Sequence, residues 1–140
     1  CPVSIIRIPG VYGKLDQNKS IISHFVNNII NNEPITIYDK GLVLRDYVFI
    51  DDIIEVVNHI INLKCEVTIN IATGKSIKLI DLVVLIEKKL NKKANISFIN
   101  TSHKQFDMTF DITKLIGLMP DYSPTYMNEG IKKLIDDINI

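Results

Sequence analysis

The sequence predicts an α/β fold, because short apolar runs with the character of strands alternate with segments whose apolar residues recur at helical spacing. Residues 3–8 form a nearly continuous apolar run, which is typical of a strand buried on both faces of a parallel sheet. After Ser20 the apolar residues follow the helical pattern: Ile21, Ile22, Phe25, Val26, Ile29 and Ile30. With 140 residues, of which 46% are hydrophobic, the chain is one domain or part of one and can bury a core.

The first half of the chain continues with turns and short strands. Pro9-Gly10 ends the first strand, and residues 13–20 are a polar loop. The first helix is expected to end within residues 31–34, where Pro34 follows two asparagines and a glutamate. Short strands are predicted at residues 35–37 and within residues 42–49, on either side of a turn at residues 39–41.

A second helix is predicted to begin at Asp51 or Asp52, since Asp52 and Glu55 have the spacing of a capping box. Two side chains that diverge at adjacent positions are expected to be caps and not a catalytic carboxylate pair. The predicted core face of this helix consists of Ile53, Ile54, Val57, Ile60 and Ile61.

The second half of the chain repeats the alternation of strand and helix. A buried strand is predicted at residues 67–72, closed by Thr73-Gly74. The third helix, residues 78–90, has a predicted inner face of Ile80, Val83, Val84 and Ile86. The remaining predicted elements are a strand at 96–99, a helical turn at 111–116, a loop at 120–124 and an amphipathic helix at 127–138.

Composition and charge narrow the classes of function. Sixteen basic and 16 acidic residues are spread along the chain, so no basic stripe indicates a nucleic-acid partner. No apolar run reaches the ~18 residues that a membrane span requires. The cysteines, Cys1 and Cys65, are too few for a disulfide framework, which favours a reducing cytoplasm. The histidines His24, His59 and His103 form no pattern of metal ligands.

The beginning of the sequence leads us to expect part of a longer protein. Cys1 is followed almost directly by the predicted buried strand, without an initiator methionine or a signal-peptide pattern.

Arginine is rare in this chain, and its positions are therefore of interest. Fourteen lysines stand against two arginines, Arg7 and Arg45. A guanidinium group offers a planar fork of donors that suits a diphosphate or a carboxylate. Arg45 could bind such a ligand or could form an internal ion pair with Asp46 or Asp51, whereas Arg7 at a strand end is expected to be structural.

Four segments, in this order, resemble the C-terminal half of the extended short-chain dehydrogenase/reductase family, which contains the nucleotide-sugar epimerases and dehydratases. They are Arg7-Ile8-Pro9-Gly10-Val11-Tyr12-Gly13; Pro34-Ile35-Thr36-Ile37-Tyr38 with Gly41; Arg45-Asp46-Tyr47-Val48-Phe49-Ile50-Asp51-Asp52; and Asp111-Ile112-Thr113-Lys114-Leu115 with Pro124 and Glu129-Gly130-Ile131. The resemblance covers nearly the whole chain. It implies the C-terminal part of a Rossmann-type fold, with residues 1–140 as the substrate-binding portion and a small subdomain of short strands and helices.

The resemblance also shows which family features this sequence lacks. The glycine-rich cofactor loop and the catalytic Tyr-x-x-x-Lys segment are both absent, and the family carries them upstream of the position equivalent to Cys1. The implied parent protein is an enzyme using NAD or NADP, most simply a UDP-glucose 4-epimerase-like isomerase, otherwise a lyase or an oxidoreductase. This chain would bind the UDP-sugar or a related nucleotide-sugar, would contact its own N-terminal half, and would be inactive alone. The full-length protein would be a homodimer.

The resemblance assigns several residues to the substrate. Arg45 is expected to bind the nucleotide diphosphate, and Tyr47, two positions along the same strand face, either contacts the substrate or packs in the core. Thr36 and Tyr38 share a strand face beside the nucleotide base, although Tyr38 could equally be a half-buried strand aromatic. Asp39 stands where the family usually has glycine.

Further positions are assigned in the same way. Pro9 is expected to lie against the nicotinamide, while Gly10 replaces an asparagine and can offer the substrate phosphate only its N–H. Ser20 and Ile21 match a backbone contact to the substrate, the alternative being that Ser20 simply caps the helix. Lys104 is the best substitute for an arginine that closes the site in many relatives.

A second hypothesis, from another class of function, is a stand-alone binding or assembly module that has kept this architecture without catalysis. The abrupt apolar strand at residues 3–8 argues against it, since that strand would need neighbours to cover its edges.

Overall fold

The computed structural model describes residues 3–16, 20–64, 66–103 and 105–138. These residues form a mixed α/β arrangement, as the sequence predicts. The strands are β1 (Ile5–Arg7), β2 (Gly10–Tyr12), β3 (Pro34–Tyr38), β4 (Leu44–Arg45), β5 (Tyr47–Phe49), β6 (Thr68–Asn70), β7 (Ile77–Lys78) and β8 (Asn95–Ile99). The helices are α1 (Ile21–Asn31), α2 (Ile50–Leu63), α3 (Leu79–Leu90), α4 (Thr113–Leu118) and α5 (Met127–Asp137), with a 3₁₀ turn at Asp39–Gly41.

The described strands pair two by two, mostly in parallel. β1 pairs with β6, β2 with β5 and β3 with β8 in parallel register, and β4 pairs with β7 in antiparallel register. Parallel pairing requires a long crossover between the partners, and the helices α1, α2 and α3 provide these connections. The α/β class is thereby confirmed.

Local sequence explains where α1 begins and ends. The Ser20 side chain accepts a hydrogen bond from the Ser23 N–H, and Asn32 adopts a left-handed conformation with φ 57°. The Asn32 N–H donates to carbonyl oxygens of the last turn, which is a common way to close a helix. The helix thus ends before Pro34, as predicted, and β3 begins at Pro34, one residue earlier than the predicted strand.

Two clusters of buried side chains form the core. The first lies between α1, β3, α3 and α5, and includes Ile22, Ile35, Leu82 and Ile131. The second lies between β5, β6, α2 and α4. Phe49 at the end of β5 belongs to the first cluster and its neighbour Val48 to the second, so β5 separates them.

The prediction of a strand buried on both faces at residues 3–8 is wrong. The strand covers only Ile5–Arg7, and the Ile5 side chain is 54% exposed. Within the described residues, β1 pairs with β6 alone, and Ile5 and Arg7, which share a strand face, are both exposed. Residues 10–12, which the sequence did not mark as a strand, form β2.

The predicted features of α2 also need correction. The helix begins at Ile50 with Phe49 at the cap position, and neither aspartate caps it. The buried face is Asp52, Ile53, Val56 and Ile60, whereas Ile54 and Ile61 are exposed. Periodicity misled here because isoleucine is so abundant that more than one face of the helix is apolar.

Asp52 connects α2 to the C-terminal part of the chain. Its two carboxylate oxygens accept hydrogen bonds from the N–H and the hydroxyl of Thr125, at 2.8 and 2.7 Å. Thr125 precedes α5, so this contact fixes the start of α5 against the start of α2.

Of the described helices, none has both the length and the apolar character needed to cross a membrane.

Candidate functional site

Gly10 and Tyr47 face each other across the parallel pair of β2 and β5. The Tyr47 ring lies over Gly10 so closely that a Cβ atom at position 10 would come within 2.6 Å of Tyr47 Cδ1. Only glycine allows this approach. The Tyr47 side chain is 6% exposed, and its ring packs in the first core cluster.

Arg45 lies at the end of β4, and its side chain is held by main-chain carbonyl groups. Its Nη1 donates to Leu44 O at 2.9 Å and to Phe106 O at 2.6 Å. Neither Asp46 nor Asp51 forms the internal ion pair that the sequence left open, and no carboxylate within the described residues pairs with the guanidinium. The positive charge of Arg45 is thus oriented but not neutralised.

Arg45 acts electrostatically on Tyr47. Burial raises the pKa of the Tyr47 hydroxyl, and the nearby positive charge of Arg45 opposes that rise. The phenol therefore stays protonated at neutral pH and remains a hydrogen-bond donor. Tyr47 thus adjoins Gly10 through its ring and lies close enough to Arg45 to be affected by its charge.

Asp46, between Arg45 and Tyr47, points the other way into the protein. Its carboxylate accepts hydrogen bonds from the Thr73 hydroxyl at 2.6 Å, the Thr73 N–H at 3.2 Å and the Gly74 N–H at 3.0 Å. Asp46 is buried and anchors the loop that follows β6. This anchoring explains why Asp46 does not pair with its neighbour Arg45.

Thr36 and Tyr38 lie on the exposed face of β3, as the alternation of the strand predicts. Ile35 and Ile37 point into the core, and the Tyr38 side chain is 52% exposed. The Thr36 hydroxyl lies 3.4 Å from the Ser97 hydroxyl on β8. The Tyr38 ring is thus available to stack against a planar ligand.

The turn after Tyr38 is fixed by a contact that the sequence did not reveal. Asp39 and Lys40 both have positive φ, and the Asp39 carboxylate accepts hydrogen bonds from the N–H and hydroxyl of Thr101, each at 2.9 Å. Aspartate tolerates this conformation better than most residues, which accounts for its use at a position where glycine is expected.

Ser20 and Ile21 lie at the start of α1. The Ser20 hydroxyl caps the helix and also bonds to the Asp16 carboxylate, so the capping alternative holds for its side chain. Ile21 is partly exposed. A cavity of about 290 Å³ adjoins this helix start, lined by Ser20, Asp16, Ile50 and the stretch from Val11 to Leu15.

Pro9 is half-buried in the two-residue connection between β1 and β2. Pro9 lies two residues beyond Arg7, the carboxyl end of the parallel strand β1. Ligands of open α/β sheets bind at such strand ends. Lys104 lies outside the described residues.

A short segment that sequence reasoning missed contributes to the site. Residues 106–108 run beside β4, with Met108 bridging to Arg45, and Phe106 supplies a carbonyl to the guanidinium. The signal was present in the alternation of Phe106, Met108 and Phe110, which has the period of a strand.

Among the described residues, no group of three or more histidine, cysteine, aspartate or glutamate side chains could hold a metal ion.

Both the sequence and the fold of this chain are similar to those of known proteins. Residues 1–72 match the model of the NAD dependent epimerase/dehydratase family. The dTDP-4-dehydro-6-deoxyglucose reductase of Escherichia coli is 33% identical over 95% of this chain and 44% of its own length. The UDP-glucuronate 4-epimerase of Thermodesulfobacterium geofontis is 28% identical over 96% of this chain and 42% of its own length.

A solved structure gives the same result. The UDP-glucuronic acid 4-epimerase of Bacillus cereus, in complex with UDP-glucuronic acid and NAD, has a TM-score of 0.86 and 26% identity, covering 99% of this chain and 45% of that one. The chain therefore spans less than half the length of the relatives it matches, and its fold corresponds to the C-terminal portion of Rossmann-type epimerases and dehydratases. The match of residues 1–72, slightly more than half of the sequence, shows that the chain belongs to the NAD dependent epimerase/dehydratase family.

Proposed function

We propose that this chain binds the nucleoside diphosphate of a nucleotide-sugar, as the substrate-binding half of an NAD-dependent epimerase or dehydratase. A UDP-sugar is the proposed substrate, and a UDP-glucose 4-epimerase-like isomerisation is the proposed reaction. The observation that carries this proposal is the Arg45 guanidinium, which is oriented by two carbonyl oxygens and paired with no carboxylate of the described residues. An uncompensated, oriented guanidinium is suited to a diphosphate.

The arrangement divides the substrate among the described elements. Arg45 would contact the diphosphate together with the Tyr47 hydroxyl and the Gly10 N–H, and the exposed ring of Tyr38 would stack on the base with Thr36 beside it. Ser20 and Ile21 would contribute backbone groups at the start of α1, where the helix dipole favours an anion. The B. cereus structure supports the substrate class, since that relative holds UDP-glucuronic acid.

The cofactor would be held mainly by an N-terminal half that precedes this portion. Pro9 fits a contact with the nicotinamide, because it is partly accessible near the carboxyl end of β1. NAD, when bound, supplies reversible hydride transfer. The acid/base tyrosine and its lysine partner are proposed to lie in the same N-terminal half.

The residues of this chain would contribute binding and orientation, not proton transfer. Binding of the nucleotide at a distance from the reacting sugar carbon positions that carbon and lowers the entropic barrier. The full-length protein is proposed to be a cytoplasmic homodimer. Both the compartment and the assembly rest on the low cysteine content and on the family resemblance.

The test is the affinity of the full-length protein for UDP, measured by isothermal titration calorimetry in Arg45→Ala. Loss of a charge-assisted hydrogen bond is expected to cost about 1.5–3 kcal/mol, equivalent to roughly a ten- to hundredfold weaker affinity. Arg45→Lys should recover only part of this loss, because an ammonium group cannot bind in bidentate fashion.

Arg7→Ala is the matched control, since Arg7 is the other arginine and its removal changes the net charge equally. It should leave UDP affinity unchanged. Equal affinity of Arg45→Ala and the unmodified protein would remove the basis of the proposal.

A further inference from the structure

Asp107 contacts β4 through the main chain of Leu44, the residue before Arg45. The Leu44 N–H donates to Asp107 Oδ1 at 2.8 Å, and the Met108 N–H donates to Leu44 O at 2.9 Å. Both polar groups of the Leu44 main chain are therefore held by residues 107 and 108. Since β4 is only two residues long, these bonds account for much of what fixes its position on this side.

The same segment orients the Arg45 side chain. Leu44 O, which Met108 holds, is one acceptor for Arg45 Nη1, and Phe106 O is the other. Phe106 O therefore lies on the short stretch of chain that Asp107 attaches to β4, whereas Leu44 O belongs to β4 itself and is held by the Met108 N–H of that stretch. Displacement of this stretch would move Phe106 O away from Nη1 and would remove the Met108 N–H from Leu44 O, the other acceptor.

The two acceptors fix the orientation of the Arg45 guanidinium group. Nη1 carries two hydrogens, and two carbonyl oxygens take them. The remaining three donors, on Nη2 and Nε, have no acceptor within the described residues, and two of them, Nε–H and one Nη2–H, form a free edge of the planar group. An arginine held in this way presents a preorganised fork, and less rotamer entropy is lost when an anion binds.

We propose that Asp107 is a positioning residue: by holding Leu44 and residues 106–108 together, it aims the free edge of Arg45 at the diphosphate. This inference rests on the proposed function of Arg45 as the diphosphate ligand. Asp107 does not itself contact the substrate. Its negative charge would slightly repel an anion, so the charge of Asp107 and its role as an acceptor have opposite effects on affinity.

This opposition gives a sharp pair of variants. Asp107→Ala and Asp107→Asn change the net charge equally, but the asparagine keeps a carbonyl oxygen that can accept from Leu44 N–H. If Asp107→Ala loses affinity and Asp107→Asn does not, the loss is due to the missing hydrogen-bond acceptor and not to the missing charge. Asp107 is exposed, so both variants are expected to fold, and Asp107→Leu, similar in shape without an acceptor, is a second test.

The measurements are UDP affinity by calorimetry and steady-state kinetics with a UDP-sugar, on the full-length protein. Asp107→Ala should bind UDP about five- to tenfold more weakly, the value of one hydrogen bond, and should raise KM without changing kcat. Asp107→Asn should remain within about twofold of the unmodified protein. In an Arg45→Ala background, Asp107→Ala should cause no further loss, because residues acting through one another are not additive.

The outcomes separate this inference from the proposed function. If Arg45→Ala weakens UDP binding but Asp107→Ala does not, or if the two losses add fully, Asp107 does not act through Arg45 and only this inference is overturned. If Arg45→Ala has no effect, the proposed function fails and the inference fails with it. Failure of both Asp107→Ala and Asp107→Leu to fold would likewise overturn it, by showing a purely structural role.

Discussion

Tyr12 carries a polar atom into the centre of the protein. Its side chain is 1% exposed, and its hydroxyl has no hydrogen-bond partner within the described part of the chain. Burial raises the pKa of this phenol far above its ordinary value, and the carboxylates of Asp52 and Glu129 raise it further, so Tyr12 stays neutral. The hydroxyl lies against Gly130 of α5, where a Cβ atom would overlap it.

We therefore expect Gly130→Ala to destabilise the fold. Helix propensity favours alanine by about 0.5–1 kcal/mol, but overpacking against the Tyr12 hydroxyl should cost about 1–3 kcal/mol and prevail. The free energy of unfolding, from urea denaturation, should fall accordingly. Adding Tyr12→Phe should restore part of the loss, because it removes the overlapping oxygen.

Gly117 supplies the matched control for this substitution. It also lies in a helix, α4, but a Cβ atom there would meet nothing within 4 Å. Gly117→Ala should be neutral or slightly stabilising. If Gly130→Ala were equally harmless, the close contact between Tyr12 and α5 would be refuted.

The sequence predicted the position of a side chain correctly where that position depends on neighbouring residues in the chain. Ser20 at the start of α1, and Thr36 and Tyr38 on one face of β3, follow from neighbours in the chain. Asp39 and Asp46 could not be placed in this way, because their partners Thr101 and Thr73 are distant in sequence. Nothing in the spacing of these residues distinguishes an anchored aspartate from a solvent-exposed one.

At the scale of elements, the position of α5 relative to α2 depends on one buried carboxylate, that of Asp52. Asp52 on α2 accepts both hydrogen bonds from Thr125, 73 residues away. Burial raises the pKa of Asp52, an effect that the bonds from Thr125 and the charge of Lys133 only partly offset. The capping-box spacing of Asp52 and Glu55 suggested a local role, but the long-range partner prevailed.

The raised pKa predicts how stability depends on pH. A carboxyl group whose pKa is higher in the folded state binds more protons there than in the unfolded state, so stability falls as pH rises. The contribution of Asp52 should be fully present below its ordinary pKa of 3.8 and should be lost as pH rises through the folded value.

The measurement is the free energy of unfolding of the unmodified chain and of Asp52→Asn from pH 3.5 upwards. Relative to the asparagine variant, the unmodified chain should lose stability with rising pH and then level off. Asp121→Asn, on an exposed loop, is the control for the loss of a carboxylate charge. A constant difference between Asp52→Asn and the unmodified chain across the range would contradict the prediction.

The element boundaries show what periodicity can predict in an isoleucine-rich chain. All three long helices of the first 90 residues appear where the spacing of apolar residues predicts them, within one residue at either end of α3. The buried faces are less predictable, as Ile54 and Ile61 on α2 and Val84 on α3 are exposed. Which apolar face becomes buried depends on neighbouring elements, and only the tertiary structure supplies that information.

At the scale of the whole molecule, the division of labour within the family has a measurable consequence. The chain carries the proposed nucleotide contacts, whereas the acid/base residues and most of the cofactor site are proposed to lie in an N-terminal half. We expect residues 1–140 alone to show no turnover of UDP-sugars, and the full-length protein to catalyse.

Calorimetry with UDP on the 140-residue chain, alongside an assay of the full-length protein, tests this expectation. Weak UDP binding by the chain together with turnover by the full-length protein is the expected result. Binding without turnover in the full-length protein would favour the non-catalytic module. Turnover by the chain alone would place the catalytic groups within these 140 residues, contrary to the proposal.

The contact between Asp46 and the loop after β6 changes how another stretch of the sequence should be interpreted. Gly74-Lys75-Ser76, shortly before α3, matches the last three positions of the P-loop, in which main-chain N–H groups surround a phosphate. Here the N–H groups of Thr73 and Gly74 already surround the Asp46 carboxylate, and the Lys75 ammonium lies 4.1 Å from the centre of the Tyr126 ring. The protein thus supplies its own anion to this loop, and a search by motif alone would place a phosphate where an aspartate already binds.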